Sequence, residues 1–180
     1  GNVWFTDPDT DRIGRITPAG AITTFADPAG ASSTNEPTDI VAGPDGNLWY
    51  TSASSNRIGR ITPAGVITTF ADPAGIASTS VPDGIAAGPD GNIWYLNGGN
   101  NRIGRLDPDA GNIAATITTF ADPGGTASTN GPFRIAAGPD GNLWYTSSAN
   151  DRIGRVTPAG VITTFADPAG SSSTDNPYDI

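Results

Sequence analysis

Gly43–Gly75 reads GPDGNLWYTSASSNRIGRITPAGVITTFADPAG, and this stretch decides the fold because it returns four times, in altered form, within 180 residues. Its tryptophan falls at Trp4, Trp49, Trp94 and Trp144, and its RIGR begins at Arg12, Arg57, Arg102 and Arg152, in steps of 45, 45 and 50 residues. Between Gly46–Ile85 and Gly141–Ile180, 29 of 40 positions are identical. A fixed period of this length marks a repeat architecture, in which each unit buries its apolar face on the next.

Working outward from that stretch, the local signals are turns and short β runs, with no 3.6-residue apolar period. Asp39–Gly43 reads as a strand of small residues. Pro44-Asp45-Gly46 supplies a tight turn, since Pro presets its φ, Asp bonds its own backbone and Gly tolerates positive φ. Asn47–Thr51 is a second strand, dense in aromatic residues, and Arg57–Thr62 a third, closed by the turn Pro63-Ala64-Gly65. Val66–Phe70 is a fourth, rich in β-branched residues. Four short antiparallel strands per 45 residues is the arithmetic of a β-propeller blade. A parallel β-solenoid is the rival, but its coils are shorter and lack paired hairpin turns. Ile-Ala-Ala-Gly at 85–88 and 135–138 suits an inner strand crowding the axis, and VITTF suits the outer edge.

The expected architecture is an all-β propeller, 1–180 forming one domain of four four-stranded antiparallel blades, with repeats at about 1–38, 39–83, 84–133 and 134–178. Gly1-Asn2 fall inside the turn before a second strand, so the first blade is expected to lack its inner strand. Residues 177–180 begin a further one. Exposed edges invite pairing, and the expected assembly is a homodimer sharing its terminal strands to close an eight-bladed ring. A tight four-bladed monomer and a fragment of a longer propeller are the alternatives. The third repeat carries five extra residues within Asp107–Thr116, at the outer rim, and they read as neutral drift.

Composition narrows the function classes. With 18 acidic residues against nine arginines the formal charge is −9, which repels phosphate and disfavours nucleic acid and anionic membrane surfaces as partners. No apolar run reaches the length of a membrane-spanning helix. The chain has no Cys, Met, His or Lys, so thiol chemistry and disulfides are excluded, and Ser and Thr lack a base to activate them. The composition leans towards an extracytoplasmic protein, although secreted and cytoplasmic locations both fit.

The run GPDGN-[LVI]-W-[YF] followed by NRIGRITPAG resembles the repeat of the virginiamycin B lyase-like propellers, relatives of the NHL and SMP-30 types, and the resemblance covers all four repeats. It implies four-stranded blades, a ring of seven in the lyases, and elimination chemistry on streptogramin B antibiotics with a histidine base and a magnesium ion near the axis. No position here matches that base: histidine is absent and Glu36 is the only glutamate. Trp49, Arg57, Ile58, Gly59 and Arg60 read as repeat framework. The function expected is a non-catalytic repeat scaffold with at most a weak binding face. The alternative is a lyase-like enzyme, the one case in which magnesium would be a cofactor.

Asp7-Pro8-Asp9-Thr10-Asp11 opens like a calcium loop, but the positions that need Gly and Glu hold Arg12 and Pro18, so it reads as a solvated acidic loop. Arg12 and Arg15 alternate along a strand and point to opposite faces. Their expected role is pairing with repeated aspartates such as Asp45 and Asp72, and with loop carbonyls. The repeats disagree most at the start of the inner strand, at Thr38-Asp39, Asp83-Gly84, Phe133-Arg134 and Tyr178-Asp179, and Arg134 is the only arginine outside RIGR. Asp39, Asp83, Arg134, Tyr178 and Asp179 are therefore the binding candidates, at one mouth of the axial channel. The connections 30–37, 75–82, 125–132 and 170–177 and the loops 7–11, 52–56, 97–101 and 147–151 are expected on the same face. No catalytic residue and no metal ligand is assigned.

Overall fold

A computed structural model describes residues 1–30, 34–71, 79–166 and 176–180. The parts of the four connections that fall at 31–33, 75–78 and 170–175, and the expected partner Asp72, lie outside these. The first sheet holds β1 (Val3–Asp7), β2 (Arg12–Ile16) and β3 (Ile22–Phe25). The second holds β4 (Pro37–Ala42), β5 (Leu48–Ser52), β6 (Arg57–Ile61) and β7 (Ile67–Phe70). The third holds β8 (Pro82–Ala87), β9 (Ile93–Asn97), β10 (Arg102–Leu106) and β11 (Thr118–Ala121). The fourth holds β12 (Pro132–Ala137), β13 (Leu143–Ser147), β14 (Arg152–Val156) and β15 (Ile162–Ala166). Within each sheet sequential strands pair antiparallel in chain order; three sheets have four strands, and the first has three among the described residues.

Local chemistry accounts for these strands. In the turn after β4, Gly46 sits at φ 77, and Asp45 Oδ1 accepts from the Asn47 amide at 3.2 Å and from Trp49 Nε1 at 3.0 Å. One carboxylate thus closes the turn and fixes the indole; Asp90 and Asp140 repeat both bonds for Trp94 and Trp144. The glycine of RIGR lies opposite the tyrosine of the second strand, as in Tyr50↔Gly59. A Cβ on Gly59 would fall 2.0 Å from the Tyr50 ring, so the ring lies flat on bare backbone.

The pairing register gives each sheet two faces. Trp49, Ile58, Arg60 and Phe70 share one; Leu48, Tyr50 and Ile61 share the other. Three apolar clusters sit between consecutive sheets, each joining a tryptophan face to the next tyrosine face. In the middle joint Trp49 and Ile58 meet Ile85, Ile93, Tyr95 and Leu106. A buried tryptophan removes roughly 150–250 Å² from water, about 4–6 kcal/mol by area. The Arg105–Asp90 pair, at 4.0 Å and partly exposed, is worth about 1 kcal/mol or less, so the joints hold the arc together.

The innermost strands β4, β8 and β12 lie side by side at the axis. A Cβ on Gly84 in β8 would approach Phe133 O in β12 to 2.6 Å, which is why small residues stand there. One expectation changes. The five-residue insertion folds as a 3-10 turn, Ile113–Thr116, that drives Ile113 into the middle core, so it adds packing and is not neutral.

Candidate functional site

The described loops and connections meet on one face through a repeated hydrogen bond. Asp11, Asn56, Asn101 and Asp151, all at φ 55–57, accept with their Oδ1 from the amides of Glu36, Val81, Gly131 and Asn176 at 2.7–2.9 Å. These bonds aim each connection into the start of an inner strand. There the chain bulges, between Pro37 and Ile40 in β4 and likewise in β8 and β12. Thr51 Oγ1 accepts from the Asp39 amide, and Thr146 Oγ1 from the Arg134 amide. The bulges hold the variable residues Asp39, Asp83 and Arg134.

Four of the five candidates are linked there. Asp39 Oδ2 accepts from the Ile85 amide at 3.1 Å, tying the second inner strand to the third. Arg134 Nη1 donates to Asp83 Oδ1 at 3.3 Å, and its guanidinium lies 4.1 Å from the centre of the Phe133 ring. Phe133 in turn meets Tyr178 at a ring separation of 4.6 Å, tilted by 54°. Asp179 is occupied locally, accepting from the Ile180 amide at 3.0 Å. Burial raises the Asp83 pKa against the lowering effect of Arg134, and the neighbouring carboxylates Asp39 and Glu36 push it further up.

Two features escaped the sequence. A cavity of about 400 Å³ opens beside the fourth inner strand, lined by Ala136, Ala137, Gly138, Pro139, Trp144 and Ile180. The fourth-position arginines of RIGR are held between rings, and among the described residues the one of them with a carboxylate within 4.0 Å is Arg105, with Asp90. Arg60 lies 5.8 Å from Trp49 and 5.6 Å from Phe70, and Arg15, Arg105 and Arg155 repeat the sandwich. The expected carbonyl partners are present: Arg15 donates to Pro63 O and Arg105 to Pro158 O, each in the next sheet.

Chemically, this cluster offers one guanidinium, two carboxylates and two rings. Among the described residues no three His, Cys, Asp or Glu side chains are grouped to hold a metal ion. The loop 7–11 is a hairpin turn whose Asp11 is engaged by Glu36. Among the described residues no helix is long and apolar enough to cross a membrane.

Comparison with known proteins gives the same architecture. A family model described as the virginiamycin B lyase family matches residues 1–120. The chain is similar to a selenomethionine-substituted virginiamycin B lyase from Staphylococcus aureus: 35% identity, covering 99% of this chain and 55% of that one, TM-score 0.83. It is similar also to a catalytically inactive histidine-to-alanine variant of the lyase from that organism, solved with quinupristin: 36% identity, 100% of this chain and 56% of that one, TM-score 0.84. A gluconolactonase from Xanthomonas campestris, 16% identical over 94% of this chain and 59% of its own, shares the fold at a TM-score of 0.67. The chain thus spans little more than half the length of these structures. No curated protein matched it in sequence.

Proposed function

This chain belongs to the virginiamycin B lyase family, and on that premise we propose that its 180 residues act as a non-catalytic propeller scaffold with a small-molecule binding face at the axial mouth. The observation that carries the reading is the absence of histidine anywhere in the chain. In the related lyase, replacing one histidine by alanine is enough for that protein to be described as catalytically inactive. A base near neutral pKa is what a proton abstraction at pH 7 requires, and neither Asp nor Arg supplies one without strong perturbation. Asp83 is the one mouth carboxylate pushed up, and Arg134 engages it.

The mouth supports binding in a limited sense. Arg134, backed by Phe133 and Tyr178, presents a cation and ring edges, but no contact set recurs from blade to blade as a repeat lectin would require. The test is incubation with quinupristin and magnesium, followed by mass spectrometry. The expected result is intact antibiotic at the rate of the buffer control. Accumulation of the linear, ring-opened product in proportion to protein would overturn the reading.

A further inference from the structure

We infer that Arg134 is a carboxylate-binding residue whose resting occupant is the chain's own Asp83, and that a small organic carboxylate with an aromatic ring takes that place as Asp83 takes up a proton. The inference deepens the binding face proposed above and rests on that reading.

Backbone packing brings the two residues together. Gly84 follows Asp83 in β8, and a Cβ there would lie 2.6 Å from Phe133 O, 3.1 Å from Arg134 Cα and 3.2 Å from the Ile135 nitrogen. Bare backbone at this point lets β8 run close to β12, so Asp83 meets Arg134 across two inner strands. The Arg134 amide is fixed in turn by Thr146 Oγ1 at 3.0 Å. The guanidinium lies 4.1 Å from the centre of the Phe133 ring, a cation–π contact that restrains it. The arginine is thus positioned before any ligand arrives.

Its occupant is held at one point. Asp39, for comparison, accepts with Oδ1 from the Ile40 amide at 2.9 Å and with Oδ2 from the Ile85 amide at 3.1 Å, so both oxygens are committed to backbone. Among the described residues the Asp83 carboxylate accepts from Arg134 alone, at 3.3 Å. Both hydrogen bonds of the guanidinium among those residues leave from Nη1, one to Asp83 Oδ1 and one to Phe133 O at 3.2 Å. An arginine presents its N–H donors as a planar fork that suits a carboxylate at two points. This pair meets at one, and at more than the usual length of a charge-assisted bond. The two side chains remain 31% and 23% exposed, so solvent reaches the fork. A carboxylate from solution can engage Nη2 and Nε together, and the half-buried Phe133 offers an attached ring apolar contact.

Charge explains the proton. Asp83 is faced by Arg134 from β12, by Asp39 from β4 and by Glu36 just before β4. The strands β5 and β9, packed beside β8, carry no Asp, Glu or Arg, and their tyrosines Tyr50 and Tyr95 are fully buried. The tail against Phe133 adds Tyr178 and Asp179. Glu36, Asp39 and Asp83 around one guanidinium leave the cluster negative, and a further carboxylate would add to that. Protonating Asp83 from solvent removes one of these charges and its hold on Arg134 together. Burial already pushes the Asp83 carboxyl above its ordinary 3.8 against the lowering effect of Arg134, which favours that proton.

Benzoate is the probe, titrated into the full chain and followed by amide NMR. Shifts are expected at Asp83, Gly84, Arg134 and Ile135, with an affinity that rises as pH falls from about 7 to about 5, by up to about tenfold per pH unit for uptake of one proton. Near neutral pH, Asp83→Asn should bind benzoate at least about tenfold more tightly than wild type and lose the pH dependence. Arg134→Ala should lose binding, and Arg134→Lys should recover only part of it, since an ammonium keeps the charge without the fork. The wild-type titration decides the matter even if a variant fails to fold. No binding by wild type at the lower pH, an affinity that ignores pH, or binding that survives Arg134→Ala would each overturn the inference. So would preference for benzylamine over benzoate, which would make the cluster a cation site. These results are separate from the quinupristin test: ring opening there would overturn the non-catalytic reading and leave benzoate binding as measured.

Discussion

Gly59 and Gly104 show how much one absent methyl group decides. Each lies beneath a fully buried tyrosine ring, and a Cβ would sit 2.0 Å from it. Gly59→Ala is expected to cost about 3 kcal/mol or more, the upper range for overpacking, because the ring is pinned by its joint. Gly46→Ala meets no neighbour and bears only the strain of φ 77, about 1 kcal/mol. Urea midpoints for the two variants check the contrast; equal losses would mean that the ring moves freely. The Tyr50 hydroxyl meets Thr34 Oγ1 at 2.7 Å, so Tyr50→Phe should lose about 1 kcal/mol. Arg105→Lys should lose about 1–2 kcal/mol, since an ammonium keeps the charge but neither the planar stack nor its reach to Pro158 O. The sequence marks Gly59 and Arg60, the equivalent of Arg105, as framework without revealing these roles. A ring on a glycine and a guanidinium between two rings depend on which residues face one another across strands, and that register is absent from any one strand's pattern.

At the scale of the element, strand positions were legible and their ends less so. β-branched runs between Pro-Asp-Gly and Pro-Ala-Gly turns admit one reading, and β5, β6 and β7 fall within one residue of it. The inner strand starts at Pro37 rather than Asp39 because a bulge, held by Thr51 Oγ1 from another strand, lets pairing resume upstream. The insertion's packing is hidden from the sequence for a related reason: only the core between neighbouring sheets gives Ile113 something to bury against. Ile113→Ala should accordingly cost about 2–4 kcal/mol in denaturant unfolding, where drift would predict almost none. The Asp-Gly turns add a pH dependence. Burial raises the Asp90 pKa, but bonds from Asn92 and Trp94 outweigh it and hold the group below its ordinary 3.8, and Asp45 behaves likewise. A folded pKa below the unfolded one stabilises the fold above about pH 4, and that contribution disappears as pH falls through the lower value. Asp83, shifted upward, works in the opposite sense and loses its penalty on protonation. Asp90→Asn should therefore lower the urea midpoint at pH 6 and leave it close to wild type near pH 2, in a range set by these pKa values. An equal loss at both would assign the effect to packing.

At the scale of the whole molecule the main contacts among the described residues run between neighbouring sheets, and this explains what could be read of the site. Asp39, Asp83, Arg134 and Tyr178 come near one another because they hold equal offsets in neighbouring repeats. The cavity beside Trp144 depends on how strand and tail pack, which no repeat pattern states. The same one-dimensional order governs stability, which in such arrays is close to a sum of unit and nearest-neighbour terms. The third sheet is packed on both sides, and β9 is buried along its whole length; β1, its counterpart in the first sheet, begins exposed and is nowhere fully buried. A local opening that frees the first sheet breaks one joint, whereas one that frees the third breaks two. Amide exchange read by mass spectrometry, in dilute protein, should thus be slowest in Ile93–Leu106 and at least about tenfold faster in Val3–Ile16, the factor that about 1.4 kcal/mol produces. Uniform protection would instead describe four sheets that open as one cooperative unit.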